Sequence, residues 1–229
     1  MSYIYATSDL HIGDKSDRDN FKDLEELFLF VLEDLPTGRI VLVGDTFDIW
    51  AYGEEAIYKH YKDLIIKLAK KKAVFVAGNH DIRLLNPKSI IRKEIIKHGG
   101  KVCEYYIYKS ILFLHGHQFD LYNSIFKEFG KLATQIAGFL GEIDPDIEDY
   151  LYNLHLNKNF TYGRYYEDNN ESRKHAVHLV KNFLLYRGKI KYVVVGHTHI
   201  AEDSIVDGIN YINCGSYTYC GDAIVGIDV

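Results

Sequence analysis

Five short stretches of this 229-residue chain bring together carboxylate, carboxamide and imidazole side chains: Asp9-Leu10-His11, Asp45 with Asp48, Asn79-His80-Asp81, His115 with His117, and His197-Thr198-His199. Carboxylate oxygen and imidazole nitrogen suit first-row divalent metals, and a carboxamide oxygen adds a neutral ligand. The three cysteines, Cys103, Cys214 and Cys220, form no CxxC pair, so neither a thiolate zinc site nor a disulfide framework is indicated. Counting Asp9, His11, Asp45, Asn79, His115, His197 and His199 gives seven candidate ligands. That is too many for one open ion and suits two ions that share a bridging carboxylate. Two ions ~3.5–4 Å apart clamp the attacking and leaving oxygens of an in-line displacement at phosphorus. Each stretch alone has a plainer reading. Gly44-Asp45 could be a turn, Gly78-Asn79-His80-Asp81 a turn with an Asx cap, and His197 with His199 a core pair. Their conjunction, in order and each just after a predicted strand, favours the metal reading.

The elements that must position these residues can be read from the hydrophobic pattern. Apolar runs predict strands over 3–7, 39–43, 73–77 and 192–195, each leading into one of the polar stretches. Phe21, Leu24, Leu27, Phe28, Val31, Leu32 and Leu35 mark one face of a helix closed by Pro36 and Gly38. Further helices are expected over 54–72 and 89–98. A hairpin is expected from strands 102–108 and 111–114, the second running into His115. The tail alternates short strands (204–206, 211–213, 223–229) with turns and reads as antiparallel. The first half alternates β-α-β-α-β, as a parallel sheet requires, so a mixed, layered α/β fold follows. Strand carboxyl ends in such sheets face a common crevice. Side chains two apart on an extended segment point the same way, which pairs Asp9 with His11 and His197 with His199.

Hydrophobic residues make up 47% and charged residues 26%, the balance of a globular domain with a core of its own. A formal net charge of -5 does not suggest a nucleic-acid-binding surface. The first seven residues lack a basic leader region, and no apolar run approaches the ~18 residues of a membrane span. A cytoplasmic protein is expected, built as a single domain over 1–229 with a helical insertion at 121–190. In the insertion Ile125, Phe126, Phe129, Leu132, Ile136, Phe139 and Leu140 recur at helical spacing. They form either a helix packed on the core or a lid sheltering an apolar group, with peripheral membrane contact as a variant of the second reading. Oligomeric state is not legible.

The ordered blocks Asp9-x-His11, Gly44-Asp45-x-x-Asp48, Gly78-Asn79-His80-Asp81, His115 and Gly196-His197-x-His199 resemble the calcineurin-like metallophosphoesterases. The resemblance implies a four-layer α/β/β/α sandwich of two mixed sheets. It also implies Asp9, His11 and His199 on one ion, Asn79, His115 and His197 on the other, and Asp45 bridging. His80 would stand beside the ions and assist the substrate phosphate or protonate the leaving oxygen, a task suited to an imidazole. The plainer alternative is that His80 orients Asp45 or caps a turn. Asp48 and Asp81 are expected to hold ligand imidazoles rather than bind metal. His117 is left as a substrate-side or a surface residue.

Within the superfamily, the run from Gly44 to Trp50 followed by Tyr52-Gly53-Glu54-Glu55 is similar to the UDP-2,3-diacylglucosamine hydrolases, which cleave a sugar-nucleotide pyrophosphate in lipid A synthesis. The closing run from Tyr211 to Ser216 is similar too. His80 departs from that branch, which often carries the bidentate fork of an arginine there. Besides His117, the candidate substrate contacts are Arg83, Asn123 and Arg164. The expected activity is hydrolysis of a phosphodiester or pyrophosphate bond in a small molecule, UDP-2,3-diacylglucosamine being one candidate. The alternatives are a nuclease or cyclic-nucleotide phosphodiesterase, and a non-catalytic scaffold. Two divalent ions are expected, Mn²⁺ first, with Fe, Zn, Co or Mg also suiting the donors.

Overall fold

The computed structural model describes residues 3–117, 173–174, 189–220 and 224–228. One sheet holds β1 (Tyr3–Thr7), β2 (Gly38–Val43), β3 (Val74–Val76), β4 (Lys101–Cys103) and β10 (Val225–Asp228), in the order β10-β1-β2-β3-β4. The first four strands are mutually parallel, and β10 runs antiparallel along β1. The other sheet holds β5 (Tyr105–Tyr108), β6 (Ile111–Leu114), β7 (Tyr192–Val195), β8 (Glu202–Val206) and β9 (Ile209–Asn213), in the order β5-β6-β7-β9-β8. Its centre is parallel and its two edge strands are antiparallel. Among the described residues the helices are α1 (Glu25–Asp34), the single turn α2 (Ile49–Tyr52), α3 (Glu54–Lys70), α4 (Ile90–Lys97) and a short α5 (Tyr217–Cys220).

Side-chain alternation builds the layers. Ile40, Leu42 and Phe75 point from the first sheet into the helices, against Phe28, Leu32, Leu64, Leu68, Ile91 and Ile95. Their neighbours Val41, Val43, Val74 and Val76 point the other way, against Ile111, Phe113, Val194 and Ile212 of the second sheet. Leu112, Leu114, Val193, Val195 and Tyr211 form a third buried cluster on the second sheet's other face. Each such side chain contributes roughly 1.5–3 kcal/mol on burial. Two mixed sheets packed face to face, with helices outside the first, agree with the expected sandwich. The 121–190 insertion lies almost wholly outside the described residues. Among these residues no helix is long and apolar enough to cross a membrane.

The predicted strand over 102–108 is two strands. The chain leaves the first sheet after Cys103 and enters the second at Tyr105, so β4 and β5 belong to different sheets. The tail is not wholly antiparallel either. The Asp207-Gly208 turn, with φ of 51° and 82°, folds β8 back as a hairpin and lets β9 pair in parallel with β7. Leu27 falls off the apolar face, because Asn20–Asp23 forms a 3-10 turn and α1 starts only at Glu25; Leu27 is 46% exposed.

One buried polar contact ties the helical layer to the loop after β1. α3 departs from helical geometry at Tyr61, whose hydroxyl donates to Asp19 Oδ2 at 2.6 Å. The same carboxylate accepts from the backbone N–H groups of Lys15 and Phe21. Burial and Asp19 both hold the phenol protonated. Tyr61→Phe should lower stability by about 1.5–3 kcal/mol, the range for a bond to a charged group. A urea midpoint that falls at constant slope is the expected readout; an unchanged midpoint would show the contact to be dispensable.

Candidate metal centre

The strand ends of both sheets meet along one edge. Asp9 and His11 follow β1, Asp45 follows β2, Asn79 and His80 follow β3, His115 follows β6, and His197 and His199 follow β7. Pairing continues past the strands. Asp9 N–H donates to Gly44 O, His11 N–H to Asp45 O, and Gly196 N–H to His115 O, at 3.1, 3.0 and 2.8 Å. The loops then turn sharply. Asp9, His11, Asp45, His197 and His199 all have positive φ, between 46° and 72°. Asp, Asn and His tolerate this left-handed region better than other side chains. Two motif glycines are explained by close approach. A Cβ on Gly78 would lie 2.1 Å from Asp45 Oδ1, and one on Gly196 would lie 2.4 Å from Asp9 Oδ2.

On one side of the site Asp9 is fully buried, and its Oδ1 accepts no hydrogen bond. That oxygen lies 3.2 Å from His199 Nε2 and 3.8 Å from His11 Nε2, and the two ring nitrogens are 3.3 Å apart. On the other side His115 donates Nδ1–H to Val43 O at 3.0 Å. Its Nε2 is therefore the nitrogen left to face Asp45 Oδ2 at 3.0 Å and Asn79 Oδ1 at 3.1 Å. Three groups of side chains have donor atoms within 4.8 Å of one another: Asp9, His11 and His199; His11, Asp45 and His80; Asp45, His115 and His197. Asp45 belongs to two of them.

The electrostatics call for positive charge. Burial favours neutral His115, yet the Asp45 and Asp9 carboxylates outweigh it and push the imidazole up to about 10. Burial likewise opposes ionised Asp9, but His199 and His115 hold it well below the usual carboxylate range. Asp45 is lowered in the same way, by His115 and His80. An orphaned carboxylate oxygen, two ring nitrogens 3.3 Å apart, and a pair of buried carboxylates are what divalent cations satisfy. The mixed N/O donors fit such ions.

Around this centre stand side chains with other work. His80 donates its backbone N–H to Asp45 Oδ1, and its Nδ1 lies 2.8 Å from Asp48 Oδ1. Burial opposes its charge, but Asp45 and Asp48 push the ring up to about 9. Asp48 thus holds His80 and not a ligand imidazole, since His11 Nδ1 is 3.9 Å away. Asp81 holds no imidazole at all. Its two oxygens accept the backbone N–H groups of Gly78, Thr46 and Phe47, so it braces the loops carrying Asn79 and Asp45. The His117 ring is 5.5 Å from that of His115 and 6.2 Å from that of His197, at the rim of the third group. Arg83 is exposed on the 3-10 turn Ile82–Leu85, just beyond the His80 block. Asn123 and Arg164 lie outside the described residues.

Sequence reasoning did not assign a role to the segment after β9. Ser216 Oγ and Thr218 Oγ1 donate to Asp9 O, and Ser8 Oγ donates to Gly215 O. Buried Asn213 donates from Nδ2 to Gly196 O and Thr198 Oγ1, and accepts from Gly215 N–H. This belt joins the first ligand loop to the last. Its only sequence signal is a run of small polar residues and glycine just after a strand.

A search of curated proteins returns no match. Solved structures give distant likenesses. A novel archaeal phosphodiesterase is 13% identical, with 99% of this chain and 93% of that chain covered at a TM-score of 0.48. The phosphopantetheinyl hydrolase of Mycobacterium tuberculosis is 16% identical, with 99% and 95% covered at 0.43. Vps29 of Chaetomium thermophilum is 14% identical, with 95% and 73% covered at 0.43. The profile of the calcineurin-like phosphoesterases matches residues 2–201, which take in every candidate ligand described above. The chain belongs to the calcineurin-like phosphoesterase family.

Proposed function

We propose that this protein is a dinuclear metal-dependent phosphohydrolase acting on a phosphodiester or pyrophosphate bond of a small molecule. The observation that carries the proposal is the overlap of three donor groups, each with its atoms within 4.8 Å of one another, in which Asp45 stands with His11 and His80 on one side and with His115 and His197 on the other. Asp9, His11 and His199 would hold one ion, and Asn79, His115 and His197 the other. Asp45, common to two of the donor groups, would lie between them. Mn²⁺ is the proposed metal, since mixed carboxylate and imidazole sites accept it. Bound divalent ions supply a nucleophile at neutral pH and neutralise charge on the phosphoryl oxygens. His80, its Nδ1 engaged by Asp48, keeps Nε2 for the substrate and delivers a proton to the leaving oxygen.

A narrower substrate, a UDP-sugar carrying acyl chains, is supported by the likeness of the Gly44-to-Glu55 block to the UDP-2,3-diacylglucosamine hydrolases. The acidic net charge of -5 favours such a small molecule over long nucleic acid. We propose a cytoplasmic location.

The direct test compares bis-p-nitrophenyl phosphate with p-nitrophenyl phosphate, using protein stripped of metal and then given Mn²⁺ or Mg²⁺. Metal-dependent cleavage of the diester in preference to the monoester is expected; metal-independent or monoester-selective cleavage would overturn the reading. Asp45→Ala should lose metal and activity together. The expected loss is at least about a hundred-fold, the upper range for losing a mere outer partner of a ligand. An Asp45→Ala protein that retains both ions by elemental analysis would displace Asp45 from its bridging role. His80→Ala should lower kcat by about 10²–10⁴-fold on a diester whose leaving oxygen needs a proton, such as diphenyl phosphate, and far less on bis-p-nitrophenyl phosphate, while both ions stay bound. Loss of metal in that variant would move His80 into the ligand set.

A further inference from the structure

We infer that Trp50 is a positioning residue that holds the His80 imidazole in register with Asp48 for proton delivery; this rests on the role proposed for His80. The chain has one tryptophan, and it stands beside the candidate acid. The indole and imidazole rings meet edge to face, with centroids 5.3 Å apart and planes at 81°. On another side the His11 ring meets His80 perpendicularly at 4.8 Å.

The local sequence makes this arrangement compact. Asp48 is the N-cap of the single turn α2, accepting from Ala51 N–H at 3.3 Å, and Trp50 lies two residues further along the same turn. One turn therefore presents both the carboxylate that holds His80 Nδ1 and the ring that packs on the imidazole. A single hydrogen bond leaves a ring free to pivot about it. Two edge-to-face neighbours remove that pivot, because swinging the imidazole would drive it into Trp50 or into His11. The task of Trp50 is to keep Nε2 pointed at the leaving oxygen and to exclude water from the imidazole's flank.

Proton delivery from a ring held by Trp50 should make turnover depend on the leaving group. p-Nitrophenolate departs without a proton, whereas phenolate needs one. Trp50→Ala should therefore lower kcat for diphenyl phosphate about ten-fold more than for bis-p-nitrophenyl phosphate, part of the acid's 10²–10⁴-fold contribution. KM should stay within about two-fold, since the phosphate-binding groups are untouched. Trp50→Phe should restore most of the loss, and Trp50→Leu, which keeps apolar bulk, should not. Equal losses on both diesters, or rescue by leucine as good as by phenylalanine, would show a packing role only and overturn the inference. His80→Ala measured alongside separates the two readings. If it shows no leaving-group dependence, the acid role fails and the Trp50 role with it. If it does and Trp50→Ala does not, only the Trp50 role fails. A readout independent of turnover is available, because the lone indole is the only tryptophan emitter. His80→Ala should change its emission intensity and its quenching by acrylamide, and unchanged emission would refute the contact.

Discussion

Two carboxylates are removed from water side by side: Asp9 is 0% exposed and Asp45 is 2% exposed. Burying an ionised group unpaired costs several kcal/mol, so the surroundings must supply compensation. The solution is the same for both. One oxygen of each takes a backbone N–H from a different ligand loop, His197 for Asp9 and His80 for Asp45. The second oxygen faces ring nitrogens, His199 and His11 for Asp9 and His115 for Asp45. Each carboxylate is thus half brace and half candidate ligand. The loops from the two sheets are stitched together by the same atoms whose charge the centre needs.

This stitching explains how a strained backbone survives. Left-handed conformations at Asp9, His11, Asp45, His197 and His199 each cost roughly 1–2 kcal/mol and persist only where the surroundings over-determine them. Here the over-determination is visible. The ladder from β1 to β2 continues beyond the strands through Asp9, His11 and Ile12. Asp81 gathers three amides beneath, and the 213–218 belt closes the other side. The conformation also limits which residues could replace the ligands. A β-branched side chain would fail on backbone grounds before its chemistry mattered.

Much of this was legible in the sequence, for physical reasons. Strands β1 and β7 are apolar runs bounded by polar residues, and their predicted limits agree with the structure. The ligand blocks stand out because few pressures other than metal place Asp, Asn and His so regularly at strand ends. The break at Glu104 was illegible, because β4 and β5 share one apolar and aromatic pattern and local sequence does not encode which sheet a strand joins. Asp81 misled for a related reason. Its neighbours in sequence are Asn79 and His80, but its oxygens turn back to amides at Thr46, Phe47 and Gly78, a choice made by tertiary packing. The role of Asn213, Ser216 and Thr218 was hidden by distance along the chain.

That distance bears on biogenesis. Asp9 emerges from the ribosome well before the hydroxyls that fix its carbonyl, which belong to residues 207 and 209 positions later. Contacts so far apart close late, because the entropy of a long loop must be overcome before they form. Ligands from the first and last loops therefore come together only after synthesis has passed residue 218. An ion that draws on both loops would then be bound by the assembled fold and not by a half-made site.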